Sequence, residues 1–430
     1  MRNCVYILLV LSFFITGCVE EIAIATDLQA DIDITEVLIV EATLTDELKN
    51  QKVTLSRGQQ FGNDSTAVFE VGATVQVDDD LGNTFNFISD AVGNYFSEVP
   101  FAAQTGRSYQ LRISTPDGTN YQSELVSSAG VSIIDNIYAE RVISDSGVDG
   151  MAIFVDSSNP DNNFNNYRYV YEETYKIIAP NWTSTEFEII REEVEFTFDE
   201  VNQEFTEILY PDVRLVPRQQ EERVCFNTVA SNDIILSDGL VLNEGRTDGN
   251  LVRFINRNDP ILSHRYSILV NQFVQSPDAA KFYNTLLQFS ESESVFSAIQ
   301  PGFIEGNIAA VNNPEALVIG YFEVASIASR RLFFNYEDFF PNEDLPPYFD
   351  GLNCERVFAP PLGNPERDGV FTMDDCGVPR PLIDYIKAEE IEFFLSSGQG
   401  LCEGPFFVTQ RPCGDCTALG SNRIPEFWTE

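Results

Sequence analysis

The sequence predicts a mainly β protein in three parts: an N-terminal β-sandwich of immunoglobulin-like or transthyretin-like type, a second β-rich domain with one helical insertion, and a Cys-rich C-terminal segment. Three observations carry this. Short apolar/polar alternations recur along the chain, each bounded by Ser, Thr, Asn, Gly or Asp turn clusters. A single stretch has a convincing helical stripe. From Pro341 onward Pro, Gly and Cys dominate, which predicts a loop-rich, stapled tail. At 430 residues the chain has room for two or three domains of roughly 100–200 residues each.

The first element is not part of the fold. Met1-Arg2-Asn3 precede an apolar run from Cys4 to Ile15, followed by Thr16-Gly17-Cys18. A basic start, a short apolar run and small residues make a secretory signal over 1–17, too short to span a bilayer as a mature helix. Ile15-Thr16-Gly17-Cys18 has the form of a bacterial lipobox, with cleavage before Cys18 and lipid on its sulfur. The plainer alternative is a secretory signal with an incidental cysteine. Acyl chains contribute about 0.8 kcal/mol per buried CH2, so a multiply acylated Cys18 is a stable anchor. Residues 18–36 are polar and weakly patterned and read as a flexible tether.

The N-terminal sandwich is expected over 37–128. Val37 to Leu44, Ala73 to Val77, Thr84 to Phe87 and Tyr109 to Ile113 read as strands, turned by Asp80-Leu81-Gly82-Asn83 and Pro116-Asp117-Gly118. Residues 129–340 form the second domain, with strands at Tyr167 to Tyr175, Glu186 to Phe198 and Arg265 to Val274. Ser276-Pro277-Asp278 supplies a cap and a first-turn proline. The apolar stripe that follows predicts a helix over 277–290. The aromatic stretch Leu332 to Pro341, followed by Pro346-Pro347-Tyr348-Phe349, has two readings. It is either a strand burying Phe333 or Phe334 and leaving into a loop, or an aromatic contact surface formed by Tyr336, Phe339, Phe340, Tyr348 and Phe349. Prolines in the second half favour an extended loop, and these rings are expected to contact a partner or ligand.

In the tail, 341–430, the cysteines are structural by expectation. Cys4 leaves with the signal and Cys18 is assigned to lipid. Cys225, Cys354, Cys376, Cys402, Cys413 and Cys416 remain, in an oxidising compartment, and three disulfides are expected among fifteen conceivable pairings. Five of the six follow residue 353, so Cys225 must tie the second domain to the tail. Such a link contributes on the order of 4 kcal/mol. A zinc or redox role for Cys413-Gly414-Asp415-Cys416 lacks the further ligands or the βαβ context it needs.

Charge and motifs narrow the chemistry. Lys and Arg number 26 against 67 Asp and Glu, a net charge of −41. That excludes a phosphate-backbone partner, so no nucleic acid is expected. The chain has one histidine, His264, beside Ser263. A catalytic Ser-His pair is weighed against a structural histidine, and the second is expected. Glu188, Glu192, Glu193 and Glu195 read as a solvated strand face. Asp156 to Asn165 is rich in oxygen ligands but lacks EF-hand spacing, so a polar turn is set against calcium. Asp64-Ser65-Thr66 fits a short O-glycosylation pattern. No phosphate loop, G-x-S-x-G or H-E-x-x-H occurs. No catalytic residue, metal or cofactor is expected.

Several segments together carry a resemblance: the lipobox; Ala73 to Val77, Gly93-Asn94-Tyr95 and Gly106-Arg107-Ser108-Tyr109; Pro301 to Ile308 with Gly306-Asn307-Ile308; Asn313-Pro314-Glu315; Gly320-Tyr321-Phe322; and Cys413 to Cys416 with Pro425-Glu426-Phe427-Trp428. The chain resembles an uncharacterised Bacteroidota outer-membrane lipoprotein family, a domain-of-unknown-function family whose genes commonly lie beside TonB-dependent transporters. Val19-Glu20-Glu21 resembles the acidic signal that sends such lipoproteins to the outer face of the outer membrane. The resemblance implies a surface-exposed, lipid-anchored, non-enzymatic partner of a TonB-dependent outer-membrane transporter, capturing a nutrient such as a peptide or glycan. The competing readings are a structural or assembly lipoprotein without a small ligand and, behind it, a carboxylate hydrolase. Cys18→Ala is expected to move the protein from the membrane to the soluble fraction. Unchanged membrane fractionation and mobility would count against lipidation.

Overall fold

The computed structural model describes residues 34–430 except 59–67, 162–165, 194, 202–203, 210, 238–244, 292–303, 305, 350, 363–379 and 398–403. Cys18, Cys376, Cys402 and Asp64-Ser65-Thr66 lie outside the described residues. The protein is mainly β, in several sheets with few helices.

The first sheet opens with β1 (Leu38–Thr45), whose inward face is Leu38, Val40, Ala42 and Leu44. It continues through β2 (Lys52–Arg57), β3 (Val68–Phe69), β4 (Thr74–Asp79), β5 (Thr84–Ser89), β6 (Asn94–Ser97), β7 (Ser108–Ser114), β8 (Asn120–Ser123) and β9 (Val126–Ser127). Strict alternation puts Val53, Leu55, Val75, Val77, Tyr95, Leu111 and Ile113 into one core. Asp79 fixes the β4–β5 register by accepting from the Leu81 and Asn83 N–H groups at 3.0 and 2.9 Å. Gly82 takes the positive φ that the turn requires, +87°.

The second part begins with β10 (Ile133–Ile143), β11 (Asp149–Ser158) and β12 (Asn166–Ile178). The expected strand from Glu186 to Phe198 is divided into β13 (Thr185–Arg191) and β14 (Glu195–Asp199). These pair with β16 (Asp212–Pro217) and β15 (Glu204–Leu209) respectively. β17 (Val224–Ala230), β18 (Ile235–Leu236), β19 (Arg246–Asn256) and β20 (Arg265–Gln275) follow. The expected helix is α1 (Pro277–Glu291), capped by Ser276 Oγ, which accepts from the Ala279 N–H at 3.1 Å. Beyond it lie β21 (Ile308–Ala310), β22 (Val318–Ala325) and β23 (Ile327–Asn335). The sheet β10-β11-β19 packs on the sheet β17-β12-β20-β23 around Met151, Ile153, Val155, Tyr167, Tyr169, Tyr266, Ile268 and Val270.

The first sheet is not confined to 37–128. β21 pairs with β8 at one end of its strand order, and β22 runs parallel to β1 at the other. β21 and β22 contact each other, so the sheet rolls nearly closed. A Cβ on Gly306 would strike the Gly320 carbonyl, and one on Gly320 the Val40 carbonyl. Asn307 lies between them: its amide donates to Phe322 O and accepts from Phe322 N, both at 2.8 Å. The Gly306-Asn307-Ile308 and Gly320-Tyr321-Phe322 segments therefore form a single backbone crossing. β22 also presents Glu323, 2% exposed, to Arg168 of β12 at 2.9 Å. The Arg168 guanidinium also bonds Thr43 Oγ1 at 3.2 Å and is sandwiched by the rings of Phe273 and Tyr283. Burial pushes the Tyr283 phenol up to about 12.

The tail contains α2 (Tyr336–Phe339), β24 (Val357–Phe358), α3 (Leu382–Lys387), β25 (Ile391–Ser396), β26 (Phe406–Gln410) and α4 (Arg411–Gly414). Disulfides join Cys225 to Cys416 and Cys354 to Cys413. The two cysteines of the C-x-x-C thus reach different partners, β17 and the loop before β24.

Of the aromatic contact set, Tyr336 and Phe340 are corrected from contact surface to core. Tyr336 and Phe340 are 2% and 1% exposed, and Phe339, Tyr348 and Phe349 pack against the second core. The helical turn α2 folds the segment back instead of leaving it extended. Tyr336 stacks on Phe340 at 4.7 Å and donates to Asp344 O at 2.8 Å. Phe339 meets Phe334 edge-on, Phe349 lies against Tyr175, and Tyr348 donates to Pro412 O at 3.0 Å. Arg141 and Arg257 cover Phe340 and are held there by Asp149 and Glu343. Phe340→Ala is expected to cost about 3–5 kcal/mol in chemical denaturation. A loss under 1 kcal/mol would return the ring to the surface.

Candidate functional site

A cleft of about 730 Å3 opens at the end of the first sheet where the chain enters β1. Its walls are Thr35 to Val37, the β7–β8 hairpin with Asp117 and Thr119, and the turn Asn313 to Leu317. The Asn313-Pro314-Glu315 segment thus meets the beginning of β1. Arg57, at the end of β2, crosses the cleft. It donates to Glu70 Oε2 at 2.5 Å and Glu36 O at 2.8 Å, and Asp117 Oδ2 lies 3.8 Å from it. Burial works against the Arg57 charge, but the hydrogen bond and charge of Glu70 outweigh it and hold the guanidinium above its ordinary value. The Thr115 hydroxyl and the Thr119 N–H hold Asp117 below the usual carboxylate range. Burial raises the Tyr121 phenol, which remains a neutral donor. A fixed cation, a neutral phenol, the Asn313 amide and rim carboxylates can hydrogen-bond a polyhydroxyl or zwitterionic ligand.

A second cleft of about 700 Å3 contains His264 and Ser263. Burial, then the nearby Lys176 charge, lowers the His264 pKa, so the imidazole is neutral at pH 7. Ser263 caps the turn Pro260–Leu262, and His264 O accepts from Tyr336 N at 3.3 Å. Lys176 is engaged by Glu430 at 2.9 Å, and Arg265 by Asn335 and the Thr429 carbonyl. These bonds anchor the ends of β20 and β23 and the final residues.

A third, smaller cleft of about 300 Å3 gathers charge beside both disulfides. Arg218, whose side chain is 4% exposed, lies between Glu222 and Glu392, with Glu392 at 2.5 Å and Glu186 at 4.0 Å. Arg411 pairs with Asp415 at 3.3 Å and with Glu389. Burial raises both Glu222 and Glu392, and Arg218 offsets this in part. By contrast, Glu188, Glu192 and Glu195 make outward pairs with Arg214, Lys387 and Arg191, as a solvated face does.

Among the expected site residues, Cys225, Cys354, Cys413 and Cys416 are brought together as two bridges. Of the aromatic set, Tyr336 and Phe340 lie in the core, and Phe339, Tyr348 and Phe349 are partly buried against it. Arg57 and Arg218 had no sequence signal. Each is an isolated arginine at a strand end, given meaning by carboxylates from distant elements. Raised carboxylates bind protons more tightly when folded than unfolded. Their penalty is absent at low pH and grows as pH rises above the ordinary glutamate value through the raised one. Glu392→Gln, with Glu222 still on Arg218, is therefore expected to be more stable relative to wild type at pH 7 than at pH 4.5. Urea midpoints at both pH values test this, and an unchanged or opposite difference would refute it.

The family described as Domain of unknown function (DUF4249) matches residues 23–331. No curated protein matches the chain. Among solved structures, a DUF4785 family protein from Legionella pneumophila is 7% identical, with 55% of this chain and 52% of that one covered at a TM-score of 0.18. The chain thus spans about half of that protein. The B domain of a biofilm associated protein is also 7% identical, over 71% of this chain and 89% of that one, at a TM-score of 0.13. Backbone agreement this low carries no argument about the fold.

Proposed function

The chain belongs to the DUF4249 family of unknown function, and on that premise we propose that it is a Bacteroidota outer-membrane lipoprotein that captures a nutrient for a TonB-dependent transporter. One observation carries the reading: the Arg57 cleft is built on the residues that follow the lipobox segment. Thr35, Glu36 and Val37 form its wall, and 16 residues separate Cys18 from Thr35. At roughly 3.3–3.6 Å per extended residue, that segment reaches about 60 Å at most. A ligand on Arg57 would sit at the membrane-proximal end of the molecule, toward a transporter in the same bilayer. The cleft's mixed donors and acceptors suit a peptide or glycan, and its charged groups are placed to bind and orient.

Purification of the full chain from its own cells in mild detergent is expected to recover a TonB-dependent transporter in stoichiometric amount. Arg57→Ala should keep the transporter and lose the small molecule that mass spectrometry finds in the wild-type complex. Recovery of an assembly factor in place of a transporter, or of the same molecule in the variant, would overturn the proposal.

A further inference from the structure

An antiparallel sheet with one face on a core normally turns polar side chains outward. The sheet β10-β11-β19 does so only in part. Its inner face, Met151, Ile153 and Val155, lies in the second core. On its outer face Phe154 has Tyr138 on one side and Leu251 on the other, in direct register across three strands. The Tyr138 and Phe154 rings are 5.5 Å apart, tilted by 31°, and Leu251 is 48% exposed. In the next row Ala152 lies between Glu140 and Phe254. The Phe254 ring lies down across Gly150, where an added Cβ would meet its Cζ at 2.6 Å.

Carboxylates surround this apolar strip. Asp156 follows Phe154 on the same face and accepts from the Gly249 N–H at 2.7 Å. Asp248 and Asp135 lie near Arg246, at 3.2 and 3.9 Å. Glu140 is exposed on β10. Burial, then the charges of Asp156, Glu140 and Asp248, raise the Tyr138 phenol. Four carboxylates therefore surround a half-buried aromatic row edged by the exposed Leu251, with Arg246 among them and Arg330 donating to the Asp135 carbonyl.

We propose that this outer face is a docking surface for a basic segment of a protein partner. Charge selects the occupant. A second copy carries the same −41, and an anionic membrane surface meets the same repulsion. An arginine- or lysine-bearing segment matches both halves of the surface. Its aliphatic stems cover Leu251 and Phe254, and its cationic heads stack on Tyr138 and Phe154 while pairing with the rim. The surface is independent of the Arg57 cleft and of how the chain is anchored.

The test uses the full chain in mild detergent and a labelled dodecapeptide of alternating arginine and leucine, followed by fluorescence anisotropy. Binding is expected, weakening with salt. It should fall about tenfold in Tyr138→Thr/Leu251→Thr and in Glu140→Gln/Asp248→Asn. The remote pair Glu192→Gln/Glu195→Gln should leave it unchanged, which separates docking from general attraction to an acidic protein. Thermal melting of the face variants should stay near wild type. If Tyr138→Thr/Leu251→Thr does not fold, Glu140→Gln/Asp248→Asn decides. Equal loss in the remote variant, equal binding of a glutamate–leucine peptide, or no binding would overturn the proposal. So would face-dependent binding to phosphatidylglycerol vesicles, or face-dependent self-association in sedimentation, in place of peptide binding.

Discussion

The chain must return to the sheet with which it began, and the rest of the molecule is arranged around that return. β22 can lie parallel to β1 because Gly306 and Gly320 let two backbones approach where any side chain would collide. The Asn307 amide then fills the gap with two backbone hydrogen bonds. From the outer side of the same strand Glu323 reaches Arg168. A buried ion pair adds little net stability, but loss of one partner typically costs about 3–5 kcal/mol because the other charge is left uncompensated. The crossing and the ion pair therefore hold the first sheet and the second core in one relative placement.

Elsewhere, charge is managed locally. In a chain of net −41, arginines are scarce, and several are used several times over. Arg141 and Arg257 share Asp149 and Glu343 while covering Phe340. Arg218 serves Glu222 and Glu392. Each arginine draws together segments far apart in sequence, complementing the two disulfides of the tail.

Local features were legible from the sequence. The alternation in β1, β4 and β7, the Asp79–Asn83 turn and the Ser276-Pro277 cap are readable because their partners lie within a few residues. Non-local features were not. Nothing near Gly306 or Gly320 indicates that they meet, since a parallel pairing has no turn to announce it. The Tyr336 to Phe349 stretch looked like an exposed loop because its prolines suggest extension. Tyr336 and Phe340 are buried where α2 folds the segment back, with Arg141 of β10 and Arg257, just after β19, over Phe340. The apolar outer face of β10-β11-β19 is hidden for a related reason. Phe154 and Leu251 sit in separate segments, and their adjacency is created by register.

The position of β1 also has a mechanical consequence. The chain enters it at the Leu38 end, and it is flanked by β2 on one side and by β22 along all eight of its residues on the other. Tension arriving through that end runs along the strand, perpendicular to its hydrogen bonds. All the rungs share the load at once, as in a glued lap joint. A terminal strand at a sheet's edge, pulled sideways, would instead open one rung at a time like a zipper. The first strand is thus held in a geometry that resists being drawn out of the fold.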